Sequence, residues 1–293
     1  MGTFKNYLLS KGYSTETTKS YNKGLLQYIV WAENNQIEVE QSSYNEIISY
    51  VQSLKNRGLQ QRSIQQTMNS LKHYFKWLIE REFRNDNPTS NVNIKGIKRR
   101  KLYNVLNKQD LEKLYNDFKS IESEKLAKKR NEIILSLLVY QGLSSTDLAQ
   151  LTIQDLKLRE GNIFIKGTRN SNERTLKLES HQILDFMEYT LQTRKAILKE
   201  TGKDTDLLFT SFGVSTKFNN IISKFLPKLK KLNRNIESVH QIRTSVITQW
   251  LKHYNLREVQ YMAGHRYVSS TEAYLINDLD DLQEDINKYH PIG

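Results

Sequence analysis

Residues 237–251 read ESVHQIRTSVITQWL, and residues 261–278 read YMAGHRYVSSTEAYLIND. In the first stretch His240 and Arg243 stand three positions apart, which puts both side chains on one face of a helix. Val239, Ile242, Val246 and Trp250 form the neighbouring apolar stripe, so the His/Arg pair sits at the edge of a buried face. In the second stretch Ala263-Gly264-His265 ends a helix, glycine being the natural stop. Ser269 and Glu272 read as a capping box, which places Tyr274, nine residues after His265, in the first turns of a new helix.

Upstream of these stretches, the hydrophobic period switches to two between Gly161 and Leu178. Ile163 and Ile165 alternate with Phe164 and Lys166, and Leu176 and Leu178 flank Lys177, so a β-hairpin is predicted with the turn-rich segment Thr168–Glu173 as its long loop. Before it, a helix is predicted from about Lys108, then a strongly apolar one through Ile133, Ile134, Leu135, Leu137, Leu138 and Val139, which Gly142 ends. Ser144 with Asp147 forms a capping box for the next helix. From Ser180 onward the pattern is helical again.

The first 90 or so residues read as helices and little else. Ser14 and Thr15 cap a segment carrying Tyr21, Leu25, Tyr28 and Ile29; Ser43 with Glu46 caps another carrying Ile47, Ile48, Val51 and Leu54, with Gly58 as its stop. A third helix carries Ile64, Met68, Leu71, Phe75, Leu78 and Ile79, and Asn87-Pro88 is expected to end it. Its other face presents Arg62, Gln66, Asn69, His73 and Lys76, a row of donors suited to a major groove and equally to any solvated helix face. The expected fold class is mainly α (α+β): a helical domain over 1–90, a basic linker over 91–103, and a mostly helical domain with a small antiparallel hairpin over 104–293.

Composition narrows the function classes. A chain of 293 residues fits two domains better than one. It has no cysteine, which excludes disulfides, thiolate nucleophiles, Cys-type zinc sites and iron–sulfur clusters. Its longest apolar run, Ile133–Tyr140, is far short of a membrane span, and the N-terminus lacks an apolar signal core, so a cytoplasmic protein without a membrane partner is expected. Walker, G-x-G-x-x-G, H-E-x-x-H and G-x-S-x-G patterns are absent, and Gly202-Lys203 is followed by Asp204 rather than Ser or Thr; no cofactor and no metal are expected. The net charge of +12 points to an anionic partner, nucleic acid first, because the excess is clustered. Five of the seven residues over 95–101 are basic, among them Lys95, Lys98, Arg99 and Arg100, and five more lie between Lys224 and Arg234.

HQIRT, AGH and the tyrosine nine residues on resemble the second box of the tyrosine recombinase (phage integrase) family, roughly H-x-L-R-H, then L-G-H, then the tyrosine. The likeness extends along the chain: YLLSKGYSTETTKSYNKGLLQYIVW resembles the family's helical core-binding domain, NVLNKQDLEKLYNDF the start of its catalytic domain, and KYHP its ending. The family's first box, T-G-L-R-x-S-E-L, meets Gln141-Gly142-Leu143-Ser144-Ser145-Thr146-Asp147-Leu148 here, with Ser144 at the position of a catalytic arginine. Its hairpin lysine is displaced too: counting from one strand puts Thr168 there and from the other Arg169, with Lys166 and Lys177 nearby.

The resemblance implies attack by Tyr274 on a DNA phosphodiester, giving a 3′-phosphotyrosyl bond and a 5′-hydroxyl without ATP or metal. Arg243, His240 and His265 would stabilise charge and relay protons, Arg169 would replace the arginine missing at Ser144, and Lys166 would protonate the leaving oxygen. Arg62, Gln66, Asn69 and the Lys95–Arg100 cluster would contact double-stranded DNA as the domains close around it. The resemblance further implies a homo-tetramer on two DNA sites, with the C-terminal segment carrying Leu279, Leu282 and Ile286 docked on a neighbouring protomer. The alternative is a DNA-binding architectural protein of the same fold whose cleavage is weakened or lost.

Overall fold

The computed structural model describes residues 3–97, 104–123, 125–214 and 217–275. The chain divides into two compact units, Met1–Lys101 and Leu102–Gly293. Among its described residues the first holds four α-helices: α1 (Phe4–Ser10), α2 (Thr15–Asn34), α3 (Tyr44–Asn56) and α4 (Gln61–Glu80). Ser14 caps α2, and Ser43 with Glu46 makes the expected reciprocal box on α3. The apolar stripes of α2, α3 and α4 meet in a core of Leu25, Tyr28, Ile47, Tyr50, Leu54, Ile64, Leu71 and Phe75, to which α1 adds Leu8. Helix α4 ends earlier than the sequence suggested. Arg81 closes it and Glu82 takes a left-handed φ of 59°, so Asn87-Pro88 lies in the following turns rather than at the helix end.

The larger unit opens with α5 (Lys108–Lys119) and α6 (Leu126–Tyr140). Helix α6 is buried on nearly every side, which is why its apolar run is continuous rather than periodic. Then come α7 (Ser145–Gln150) and a three-stranded antiparallel sheet, β1 (Leu156–Lys157), β2 (Asn162–Ile165) and β3 (Arg174–Lys177), in the order β1-β2-β3. The β2–β3 pairing is the expected hairpin, with Ile163 opposite Leu176 and Ile165 opposite Arg174. Strand β1, only two residues long, is an addition. Helices α8 (Ser180–Glu188) and α9 (Arg194–Thr201) are joined through a π-helical turn at Tyr189–Thr193, and α10 (Asn219–Leu232), α11 (Val239–His253) and α12 (Leu256–Ala263) follow. Residues 269–275 form a last helical segment. There the predicted capping box is absent: the Val268 carbonyl accepts from the Thr271 and Glu272 N–H groups, so Ser269 is the first helical residue and not the cap. The described fold is thus mainly α with one small antiparallel sheet.

Candidate active site

Helix α11 runs through the middle of the larger unit, with Val239, Ile242, Val246 and Ile247 buried. Ser238 caps it by accepting from the Gln241 N–H at 3.1 Å. One turn in, Arg243 is buried, and its guanidinium spans two backbone ends. Nη1 donates to the Gly142 carbonyl at 2.5 Å, just after α6, and Nη2 donates to the Ala263 carbonyl at 2.6 Å, at the end of α12. Burial pulls the Arg243 guanidinium below its ordinary range, while Asp147 and Tyr274 oppose that shift.

Gly264 ends α12 in the left-handed conformation, φ 70°, and turns the chain so that His265 faces back toward Arg243. His265 Nε2 lies 3.4 Å from Arg243 Nη2, and its Nδ1 lies 2.9 Å from the Thr271 hydroxyl. A guanidinium carries only donors, so Nε2 must be the acceptor and Nδ1 the protonated nitrogen that donates to Thr271. Burial first, then Arg243 and Arg174, push this imidazole down to about 4, so it is neutral at neutral pH. Its ring stacks on Tyr274, centroids 5.6 Å apart and planes 14° from parallel. Tyr274 itself is buried against Ile247, Val259 and Ala263. Three of the four residues singled out in the C-terminal stretches therefore converge. His240, half-buried in the first turn of α11, has its carbonyl accepting from the Thr244 hydroxyl at 2.9 Å.

Ser144 caps α7. Its N–H and its hydroxyl each donate to Asp147 Oδ2 at 2.8 Å, and its oxygen accepts from the Asp147 N–H. Burial pushes the Asp147 carboxyl up, but Arg174, both Ser144 donors and Arg243 outweigh it and hold the carboxyl below its usual range. Arg174 Nη2 reaches the same oxygen at 3.0 Å, whereas Arg243 Nη1 stands off at 3.8 Å. Arg174 is the group the sequence reading missed. A signal was present: Arg174, Leu176 and Leu178 share the period-two face that packs inward. Thr271 was also missed, and nothing in its neighbourhood marks it.

The hairpin loop folds back on the His265 turn. Asn172 N–H donates to the Gly264 carbonyl at 3.0 Å, Ser171 bridges to His265, and Arg266 donates to the Arg169 carbonyl at 2.8 Å. The Arg169 side chain is exposed. Lys166, just past β2, is about half exposed and pairs with Asp155 at 3.5 Å. In the smaller unit Arg62 and Gln66 are exposed on α4, and Asn69 accepts from Gln65 at 3.0 Å. His73 drops out of the donor row because its ring packs on Tyr21 and meets Tyr13 edge-on. Lys95 is exposed; Lys98, Arg99 and Arg100 lie outside the described residues.

Residues 104–279 match the phage integrase family, and residues 2–82 match the phage integrase N-terminal SAM-like domain. The chain belongs to the phage integrase family. The tyrosine recombinase XerC of Oceanobacillus iheyensis is 24% identical over 99% of this chain and 95% of its own length. The tyrosine recombinase XerD of Haemophilus influenzae is 23% identical over 98% and 96%. The XerH site-specific recombinase in a post-cleavage complex with palindromic difH shares the fold, with a TM-score of 0.72, 21% identity and 92% of this chain and 78% of that chain covered. A lambda integrase dimer bound to a COC′ core site aligns with a TM-score of 0.67 at 14% identity, over 92% of this chain and 74% of that one. At family level the chain is thus a phage integrase homologue, similar over nearly its whole length to tyrosine recombinases. Among the described residues no helix is long and apolar enough to cross a membrane.

Proposed function

We propose that this chain cuts and rejoins double-stranded DNA through Tyr274. The observation that carries the reading is the meeting of Tyr274, His265 and Arg243, phenol stacked on imidazole and imidazole beside guanidinium. In the reaction the Tyr274 hydroxyl oxygen attacks a phosphodiester, and the bond to the 5′-oxygen breaks. A 3′-phosphotyrosyl link forms and a 5′-hydroxyl leaves. The phosphodiester's bond energy is kept in the tyrosyl ester, so rejoining needs no ATP, and no metal is assigned to the step. Neutral His265 offers Nε2 as acceptor for the tyrosine proton once a phosphate draws Arg243 to itself. Arg243 clamps the phosphate, and His240 at the start of α11 adds a donor to the developing charge.

The leaving oxygen needs a proton, which guanidinium is poorly suited to give. Lys166 supplies it after leaving Asp155, and Arg169 enters from the hairpin loop as the second clamp, in place of the arginine that Ser144 does not provide. Arg62, Gln66 and Asn69 on α4 contact the duplex, with Lys95, Lys98, Arg99 and Arg100 on its phosphates. The working assembly is a cytoplasmic homo-tetramer on two DNA sites. Within the larger unit a groove of about 420 Å³, lined by Leu111, Val139, Tyr140, Val246 and Trp250 among others, suits the Leu279, Leu282 and Ile286 stripe of a neighbour's C-terminal segment.

The test is a nicked suicide duplex drawn from a library of genomic fragments, with the covalent adduct read on a denaturing gel and the linked residue mapped by mass spectrometry. An adduct at Tyr274, lost in Tyr274→Phe, is expected. Tight binding to a defined site without any adduct favours the second reading, a non-cleaving architectural protein. The use of Ser144 as a helix cap is the observation behind that alternative.

A further inference from the structure

Arg174 is among the most deeply buried side chains of the protein: its side chain has 0% exposure and so cannot reach a phosphate. A charge held there must do its work inside the molecule, because an unpaired buried guanidinium is costly. Three contacts define that work. Nη2 donates to Asp147 Oδ2 at 3.0 Å, Nε donates to the Met262 carbonyl at 2.9 Å, and the guanidinium plane lies directly beneath Gly264. It thereby joins the start of α7, the end of α12 and the turn that carries His265.

The decisive geometry is the sharing of Asp147. Its Oδ2 already accepts from Arg174 and twice from Ser144, at 3.0, 2.8 and 2.8 Å, and Arg243 Nη1 waits 3.8 Å away. Without Arg174 the buried carboxylate has one other guanidinium within reach, that of Arg243. Closing that gap pairs Arg243 with a fixed anion and takes its charge away from the substrate.

We infer that Arg174 is a positioning residue that occupies Asp147 so that Arg243 stays available to the scissile phosphate. This rests on the phosphate-clamp role proposed above for Arg243. It predicts a pattern that a purely structural arginine would not give: removing Asp147 as well restores what removing Arg174 takes away.

The experiment measures single-turnover adduct formation on the nicked duplex for the parent, Arg174→Gln, Asp147→Asn, the double variant and Arg174→Lys. Arg174→Gln is expected to slow the reaction roughly 100-fold, the scale of losing one transition-state donor. The double variant recovers at least about tenfold of that, and Arg174→Lys, which keeps the charge on Asp147, stays within about tenfold of the parent. A double variant as slow as Arg174→Gln, or an Arg174→Gln as fast as the parent, overturns the inference. The second readout needs no cleavage: the Arg243 Nε–H resonance in NMR spectra of the full chain moves in Arg174→Gln and returns in the double variant. An unmoved resonance sinks the inference on its own. If Arg174→Gln loses its melting transition, the resonance and rate of Arg174→Lys decide, a loss near 100-fold counting against. A parent that forms no adduct defeats the proposed function and leaves the resonance to judge Arg174.

Discussion

Gly264→Ala is the perturbation whose cost can be worked most fully from geometry. At φ 70° an alanine carries left-handed strain of about 1–2 kcal/mol. The new methyl group would also sit 2.7 Å from Arg174 Cζ, 3.0 Å from Nε and closer still to Nη1. The guanidinium cannot step aside, since it is fully enclosed and bonded to Asp147 and the Met262 carbonyl. Either the Arg174–Asp147 pair breaks, at about 3–5 kcal/mol, or the turn bearing His265 moves. The total is about 4–7 kcal/mol, and for a unit of this size each kcal/mol lowers Tm by about 2–4 °C. Gly202→Ala is the internal control: φ is 62°, nothing lies within 4 Å of the added carbon, and only the strain remains. Calorimetry of the full chain should show a fall of roughly 8–28 °C for Gly264→Ala and a few degrees for Gly202→Ala. Equal falls for the two variants would show that Arg174 does not fill the space beneath Gly264.

Two further outcomes are expected. His265 is held near 4 in the fold against 6.5 in an ordinary imidazole, so between those values the unfolded chain binds a proton that the folded one excludes. Stability is therefore full above pH 6.5 and declines as pH falls toward 4, by about 2 kcal/mol after allowance for the ring's partial exposure. Urea melts of the parent and His265→Asn at pH 7 and pH 4.5 should differ in this slope, and identical slopes would refute the assignment. Thr271→Val removes the acceptor of the Nδ1 proton. Arg243 still holds the Nδ1–H tautomer, but the ring loses its second anchor, so adduct formation should drop at least about tenfold, a fraction of the ~10²–10⁴ a positioned proton carrier contributes. An undiminished rate would mean that Thr271 does not position the ring.

Much of this arrangement was legible in the residues because local rules and tertiary packing agree. The boxes at Ser43/Glu46 and Ser144/Asp147 satisfy the first N–H groups of their helices whatever surrounds them. The glycine after α12 is demanded twice, by its backbone and by what lies under it. The Ser269/Glu272 box failed because the chain leaves the His265 turn already helical, and tertiary contact decides that entry. Arg174 was hidden for a different reason. A charge on a strand reads as solvated until its partner is known, and Asp147 is 27 residues away in sequence. His73 is the converse case. It lay in phase with a polar face, but Tyr13 and Tyr21 from elsewhere in the fold take up its ring.

The cap at Ser144 also bears on how this chain can change over generations. Two hydrogen bonds run from that residue to Asp147, and one returns. An arginine at 144 would abandon the hydroxyl's donation and the returning bond, at a cost of about 1 kcal/mol for the cap alone. It would also bring a third guanidinium toward a carboxylate already near two. A single change to arginine at this position thus passes through a less stable protein. An arginine becomes easier to accept once a neighbour has taken over the capping, so the order in which substitutions arrive matters at this serine.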